Sequence, residues 1–290
     1  MLSTLLRPRG LSRPSQVGWF GRGVEIKTPD QIALMREAGL VVGRTLELLR
    51  GAVAAGVATT ELDTLAHDAI REQGATSNFL GYGAHDSSGA GGFPGVICTS
   101  VNDEVVHGIP GRRTLRDGDV ISIDCGAIVH GWHGDAAITV AVGEVPDEVT
   151  ELLRVTEEAM WRGIAAASLG GRVGDVGEAI ESFVREQGGF GIVEAYTGHG
   201  IGSEMHQPPD VYNVGGRGHG PRLVRGLALA VEPMITLGSP NTRVLADDWT
   251  VVTTDGSWSA HFENTFVLTD TGAWVLTALD GGVAGLAALQ

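Results

Sequence analysis

Asp124 and Asp135 in VISIDCGAIVHGWHGDAAITV, His199 in TGHGIG, Glu232 in AVEPM and Glu263 in HFENTFVL are four carboxylates and one imidazole, each in an apolar or glycine-rich setting. Asp124 ends the apolar run 120–123, Glu232 sits between Val231 and Pro233, and Glu263 follows Phe262 at the head of a strand-like segment; none of the three has Lys or Arg within three positions. An ionised carboxylate in apolar surroundings costs several kcal/mol unless it is paired or bound to metal. A divalent cation supplies the missing charge, and oxygen-rich ligands with a single His suit Co, Mn, Fe or Zn. A lone catalytic zinc takes about three protein ligands. Five groups, some able to bridge, fit two cations about 3.5 to 4 Å apart. One such acid alone would be read as a solvated charge or a helix cap; the set of five supports metal binding.

The elements that must position these groups follow from periodicity. Thr28-Pro29-Asp30 opens a helical pattern in which Ile32, Met35, Ala38, Val42, Leu46 and Leu49 recur at three- and four-residue steps. A second helix runs from Thr60 to near Gly74, and strand-like runs follow at 95–100, 119–129 and 136–142. The order then repeats, with helices at about 147–168 and 175–187 and strands near 227–236, 249–254 and 261–269. Helices and then strands, twice over, predict an α+β protein of two similar halves, about 24–142 and 143–280, around one sheet. Asp124 and Asp135 come from the first half and the other three candidates from the second. A hairpin turning at residues 130–134, with its second strand starting at Asp135, would bring both Asp to the same end of the sheet.

Composition narrows the function classes. The 290 residues can bury a full core. A formal charge of −15 argues against a specific nucleic-acid surface or an anionic membrane as partner. The basic residues are nearly all Arg, and Lys27 is the only lysine. Cys98 and Cys125 form no CxxC pair or disulfide framework, which points to a reducing cytoplasm. No run of about 18 apolar residues spans a membrane. Residues 1–23 carry Arg7, Arg9, Arg13 and Arg22 and no acid, but lack an apolar region of about 7 to 15 residues. The segment reads as a flexible basic tail ahead of a single catalytic domain, 24–290. As a docking arm for an acidic partner such as ribosomal RNA, it would suit ribosome association.

From Glu25 to Leu279 the chain resembles the type I methionine aminopeptidases, metallopeptidases of the pita-bread (creatinase) fold. The resemblance rests on SVNDEVVHGIP, ISIDCGAIVHGWHGDAAITV, TGHGIGSEMHQPP, AVEPM and DDWTVVTTDGSWSAHFENTFVLTD, in that order. It implies two pseudo-symmetric halves with a central curved antiparallel sheet covered by helices. It also implies that Asp124, Asp135, His199, Glu232 and Glu263 bind two metals, with Asp135 and Glu263 bridging. His107 would contact the substrate amino terminus and scissile bond, and His206 the peptide carbonyl oxygen. In the family a metal-bridging water or hydroxide is the nucleophile and Glu232 the proton shuttle. Tyr82, Phe93, Cys98, Met205 and Trp249 would line the methionine pocket, a polarizable set suited to a thioether. A monovalent cation would sit at carbonyls around Asn102, Glu104 and Ser259.

The expected activity is dinuclear metal-dependent removal of the initiator methionine from N-terminal peptides of nascent proteins when the second residue is small. The expected state is a cytoplasmic monomer. The segment 83–92, GAHDSSGAGG, is longer than the family's connection and reads as a loop at the mouth of the site. An Xaa-Pro peptidase on the same fold is the alternative, and a non-enzymatic binding protein is a more distant one. His67, His85, His130, His133, His219 and His261 are expected on the surface or in loops. Cys125 is expected in the core. The glycines of GHGIG lack the GK[ST] of a phosphate loop.

Overall fold

The structure is a computed structural model that describes residues 23–84 and 91–289. Most of the basic tail and residues 85–90 of the loop, His85 included, lie outside the described residues. The chain opens with α1 (Pro29–Ala52) and α2 (Thr59–Glu72), followed by β1 (Thr76–Ser77), β2 (Ile97–Val101), β3 (Glu104–Val106), β4 (Val120–Val129) and β5 (Trp132–Ala141). It continues through α3 (Asp147–Ala166), α4 (Val173–Gln187), β6 (Gly191–Ile192), β7 (Gly198–Gly200), β8 (Gln207–Val211), β9 (Ala228–Val231) and β10 (Met234–Thr236). The last elements are β11 (Thr242–Val244), β12 (Val251–Thr253), β13 (Ser259–His261), β14 (Glu263–Thr269), β15 (Gly272–Val275) and α5 (Val283–Ala287).

The α+β expectation is met by one large antiparallel sheet in the order β1-β4-β5-β14-β9-β7-β8, to which β2 adds beside β4 and β15 beside β14. α1 starts where the sequence places it. Thr28 and Gln31 form a reciprocal capping box, which satisfies two backbone N–H groups that the first helical turn leaves free. Its buried face carries Met35, Ala38, Val42, Leu46 and Leu49, and these residues cover the hairpin β4–β5. At Gly134 the hairpin backbone comes so close to Ala38 and Gly39 that a Cβ would collide with α1.

The hairpin differs from its expected form. Its turn is only His130-Gly131, both at positive φ (52° and 79°), the pairing of conformations that a tight two-residue turn needs. β5 therefore begins at Trp132, and ten consecutive pairs run from Val120↔Ala141 to Val129↔Trp132. The stretch 130–134 looked like a turn because its glycines and polar residues outweigh Trp132, yet three of those five residues are in the strand.

Two apolar cores flank the sheet. Val42, Leu46, Ile97, Ile121 and Ile123 pack under α1 and α2, while Leu152, Ile164, Ile180, Val231 and Phe266 pack under α3 and α4. Between them, the direct ladder joining β5 to β14 is only two pairs long, Glu263↔Ala137 and Asn264↔Ala136. Threonine hydroxyls extend this junction. Thr265 Oγ1 donates to the Asp135 carbonyl (2.8 Å), and Thr139 Oγ1 donates to the His261 carbonyl (2.7 Å) and accepts from the His261 N–H (2.9 Å). Buried hydroxyls are tolerated there because each replaces a missing backbone bond.

Candidate metal centre

The register of the hairpin puts its two carboxylates on one face. Asp124 lies opposite Ala137 on β5, and Asp135 lies opposite Gly126. Residues 124 and 126 share a face of β4 because strand side chains alternate, so the two acids are diagonal neighbours across the pair. Their side chains are close enough for each to influence the charge of the other.

Three short segments bring up the other ligand candidates. His199 is the centre of β7, between Gly198, which has no room for a Cβ against the Ala230 carbonyl, and Gly200, which is equally tight against the Pro208 carbonyl. His199 Nδ1 donates to the Gly200 carbonyl at 3.0 Å. A carbonyl only accepts, so this bond fixes the tautomer and leaves the Nε2 lone pair free, the arrangement a metal-binding imidazole needs. Glu232 immediately follows β9, with Oε1 at 3.5 Å from His199 Nε2. Glu263 begins β14, and one of its carboxylate oxygens, an Asp135 oxygen and a His199 ring nitrogen all lie within 4.8 Å of one another.

The electrostatics of this cluster are those of a cation site. Burial raises the pKa of Asp135, Glu232 and Glu263 well above the carboxylate range, with the neighbouring acids adding to the shift; burial pushes Asp124 up to about 7. Burial, reinforced by the nearby His206, holds His199 down at about 3. Asp124 Oδ1, Asp135 Oδ1 and Glu263 Oε1 are buried without any hydrogen-bond partner. Acids crowded together, a neutral imidazole with a free lone pair, and orphaned oxygens together fit divalent cations.

His261, expected in a loop or at the surface, is instead buried at 1% exposure. Its Nε2 has no partner and lies 3.9 Å from Glu232 Oε2 and 4.0 Å from Glu263 Oε2. Burial, with the adjacent His107, keeps its pKa near 3. The only sequence signal for it is its place two residues before Glu263 on an alternating strand path.

His107 and His206 lie beside the acid cluster. His107 has a left-handed φ of 59°, a costly conformation for a residue with a side chain, and its ring stands edge-to-face with Tyr196 at 5.6 Å. Its pKa is lowered to about 4, by burial and then by His206. His206 packs edge-to-face on His199, with centroids 4.3 Å apart. One edge of His206 is open to a cavity of about 300 Å³ that it lines with Asn78, Tyr82, His133 and Met205. The ring is exposed along its open edge, and desolvation by the groups packed around the rest of it, with His133 nearby, lowers its pKa to about 4. His133, also expected at the surface, is half-buried and bonds Asn78 Oδ1 through Nδ1 at 3.0 Å.

Of the residues expected to line an apolar pocket, Phe93, Cys98, Met205 and Trp249 pack together, with Phe79 and Ile109 as additional walls that the sequence did not single out. Cys98 is the cross-strand neighbour of Asp124. Tyr82 stands apart at the mouth, 43% exposed, with its hydroxyl 2.7 Å from His206 Nδ1. The carbonyls of Asn102 and Glu104 converge on the Ser259 hydroxyl, which donates to both at 3.4 and 3.0 Å. Cys125 is fully buried in the core. Among the described residues, no helix is long and apolar enough to cross a membrane.

Residues 33–270 match the model of metallopeptidase family M24. The chain is 47% identical over 253 residues to the methionine aminopeptidase of Clostridium acetobutylicum, covering 87% of this chain and 98% of that one. A crystal structure of methionine aminopeptidase from Thermotoga maritima superimposes with a TM-score of 0.84 at 39% identity, over 88% of this chain and 99% of that one. A prolidase from Pyrococcus furiosus, 19% identical with a TM-score of 0.68 over 87% of this chain and 65% of that one, shares the fold. The curled sheet, the helices that cover it and these likenesses have one explanation: the chain belongs to metallopeptidase family M24, among its methionine aminopeptidases.

Proposed function

We propose that this metallo-aminopeptidase removes the N-terminal methionine of nascent proteins whose second residue is small, with two divalent cations held by Asp124, Asp135, His199, Glu232 and Glu263. Asp135 and Glu263 are the most deeply buried of the four acids, at 3% and 2% exposure, and are the ones we assign to both cations. When bound, the cations would lower the pKa of a water toward neutrality and polarise the scissile carbonyl. Glu232 takes the water's proton on a carboxylate oxygen and returns it to the leaving amine. His107, held neutral, accepts from or donates to the substrate amino end. A ring N–H of His206 donates to the carbonyl oxygen as negative charge develops there.

The observation that carries this reading is the direct pairing of Cys98 with Asp124. It sets the apolar, sulfur-containing wall of Phe93, Cys98, Met205 and Trp249 against the acid cluster, so that a thioether side chain in the pocket would put its own peptide bond over the metal site. Ribosome docking through the basic tail would bring the enzyme to its substrates in the cytoplasm. Peptides Met-Ala, Met-Lys, Ala-Ala and Ala-Pro, each tested with Co, Mn, Fe and Zn, decide the matter. Cleavage of Met-Ala alone is expected, and cleavage of Ala-Pro would instead support the Xaa-Pro reading.

A further inference from the structure

Of the residues proposed to wall the methionine side chain, Tyr82 is the one outside the apolar cluster of Phe93, Cys98, Met205 and Trp249, and it makes a specific polar contact. Its hydroxyl lies 2.7 Å from Nδ1 of His206, across 124 positions of sequence, and the two rings meet edge-to-face with centroids 5.4 Å apart. Two directions are open to this bond: the phenol can donate to Nδ1, or Nδ1–H can donate to the phenol oxygen. The surroundings choose between them. A phenol, with an ordinary pKa of about 10, keeps its proton at neutral pH, and partial desolvation of the Tyr82 ring raises its pKa further. A neutral phenol is a stronger acid than an imidazole N–H, which favours O–H···N. With Nδ1 occupied as an acceptor, the single ring proton of neutral His206 must reside on Nε2.

We infer that Tyr82 is a positioning residue of the reaction: its O–H donates to His206 Nδ1, orients the ring and holds it in the Nε2–H tautomer, which is the form able to donate to the substrate carbonyl oxygen. This rests on the role given to His206 above. It removes Tyr82 from the side-chain pocket and makes it part of the device that stabilises the developing oxyanion. Because Tyr82 is exposed at the cavity mouth, the bond is formed at the site where the peptide must enter. The pattern is that of an outer partner fixing the tautomer of an imidazole, whose loss costs about 10- to 100-fold in activity.

The test has two parts. In the zinc-loaded, diamagnetic enzyme labelled with ¹⁵N-histidine, long-range ¹H–¹⁵N correlation reads the tautomer, and the His206 signals are identified by their absence in His206→Ala. Nε2 protonated and Nδ1 accepting is the expected result, and a protonated Nδ1 overturns the inference whatever the variants do. Tyr82→Phe, with zinc content unchanged, is expected to lower kcat about tenfold while KM on Met-Ala peptides moves less than about twofold, and to give His206 signals of mixed tautomers. A pocket wall would behave otherwise. A rise in KM with kcat unchanged, or no change in either, overturns the proposal. If His206→Ala keeps the parent kcat, the role of His206 fails, while the tautomer spectrum still answers for Tyr82 separately.

Discussion

At the floor of the site Asp124, Asp135 and Glu263 each leave a buried oxygen without a partner, whereas at the rim Tyr82 is bonded to His206 and Asn78 to His133. The floor groups are acids whose charged forms the fold disfavours. The rim groups are neutral and already joined in pairs. The floor is therefore completed only by something that brings positive charge, while the rim is organised before any ligand arrives, which is what low reorganisation during the reaction requires. Asn78 shows how far the preorganisation goes. Its amide also donates to the Gly134 carbonyl at 3.1 Å, so the bond that holds His133 is anchored one residue from Asp135.

The largest expected effect comes from cutting the floor. Glu263→Ala should lose metal and activity together, with kcat/KM falling by more than about a thousandfold, since the bound metal accounts for a drop of about eight units in the pKa of water. Metal analysis and peptide hydrolysis on the same preparation check this. Full metal content with parent turnover would mean that the floor does not depend on this carboxylate.

Removing the cations from the parent protein should expose the repulsion among the floor acids. Asp124 has a folded pKa of about 7, above its ordinary 3.8, so its contribution to stability is complete below about pH 4 and disappears as pH rises through 7. Asp135, Glu232 and Glu263 shift in the same direction. Chelator-treated protein should thus unfold more easily at pH 8 than at pH 5, by an amount on the order of 3 kcal/mol from Asp124 alone, the two pH units between 5 and its folded pKa. Denaturant titrations at both pH values, repeated with Mn²⁺ restored, measure it. An equally stable cation-free protein at the two pH values would show that the floor acids are satisfied without metal.

At the rim, the expected result is a split between binding and chemistry. His206→Ala should cost about a hundredfold in kcat/KM, the scale for loss of one oxyanion donor, with metal content unchanged. Loss of metal from that variant would erase the distinction between floor and rim.

The same contrast explains what could be read from the sequence. Asp124, Glu232 and Glu263 stand out because an acid in an apolar run is a local anomaly, visible within a few residues. The hairpin that carries Asp124 and Asp135 was legible too, apart from its turn. Strands β7, β8 and β13 were not, because three residues such as GHG have no period of their own and become strands only through neighbours such as β9 and β10. Rim partners are equally hidden. Tyr82 and His206, or Asn78 and His133, meet through long-range folding, and nothing in their immediate sequence names the partner.

His261 is the residue that tests whether the floor extends beyond its four acids and one imidazole. Its backbone is clamped on both sides by Thr139, so the ring has little freedom to withdraw from Glu232 and Glu263. An imidazole Nε2 at 3.9 and 4.0 Å is just outside hydrogen-bond reach of either carboxylate. Modest closure on the ionised, metal-bound pair would give it an acceptor and give one carboxylate a donor. His261→Ala removes that donor without touching a proposed ligand, and should weaken metal binding about tenfold, the lower end for loss of an outer partner. His261→Gln, which keeps an N–H donor, should recover most of the loss. Competition titrations with a metal-sensing dye read both variants. Metal affinity unchanged in His261→Ala would place this buried ring among the core side chains, and would confine the floor to the groups that bind the cations directly.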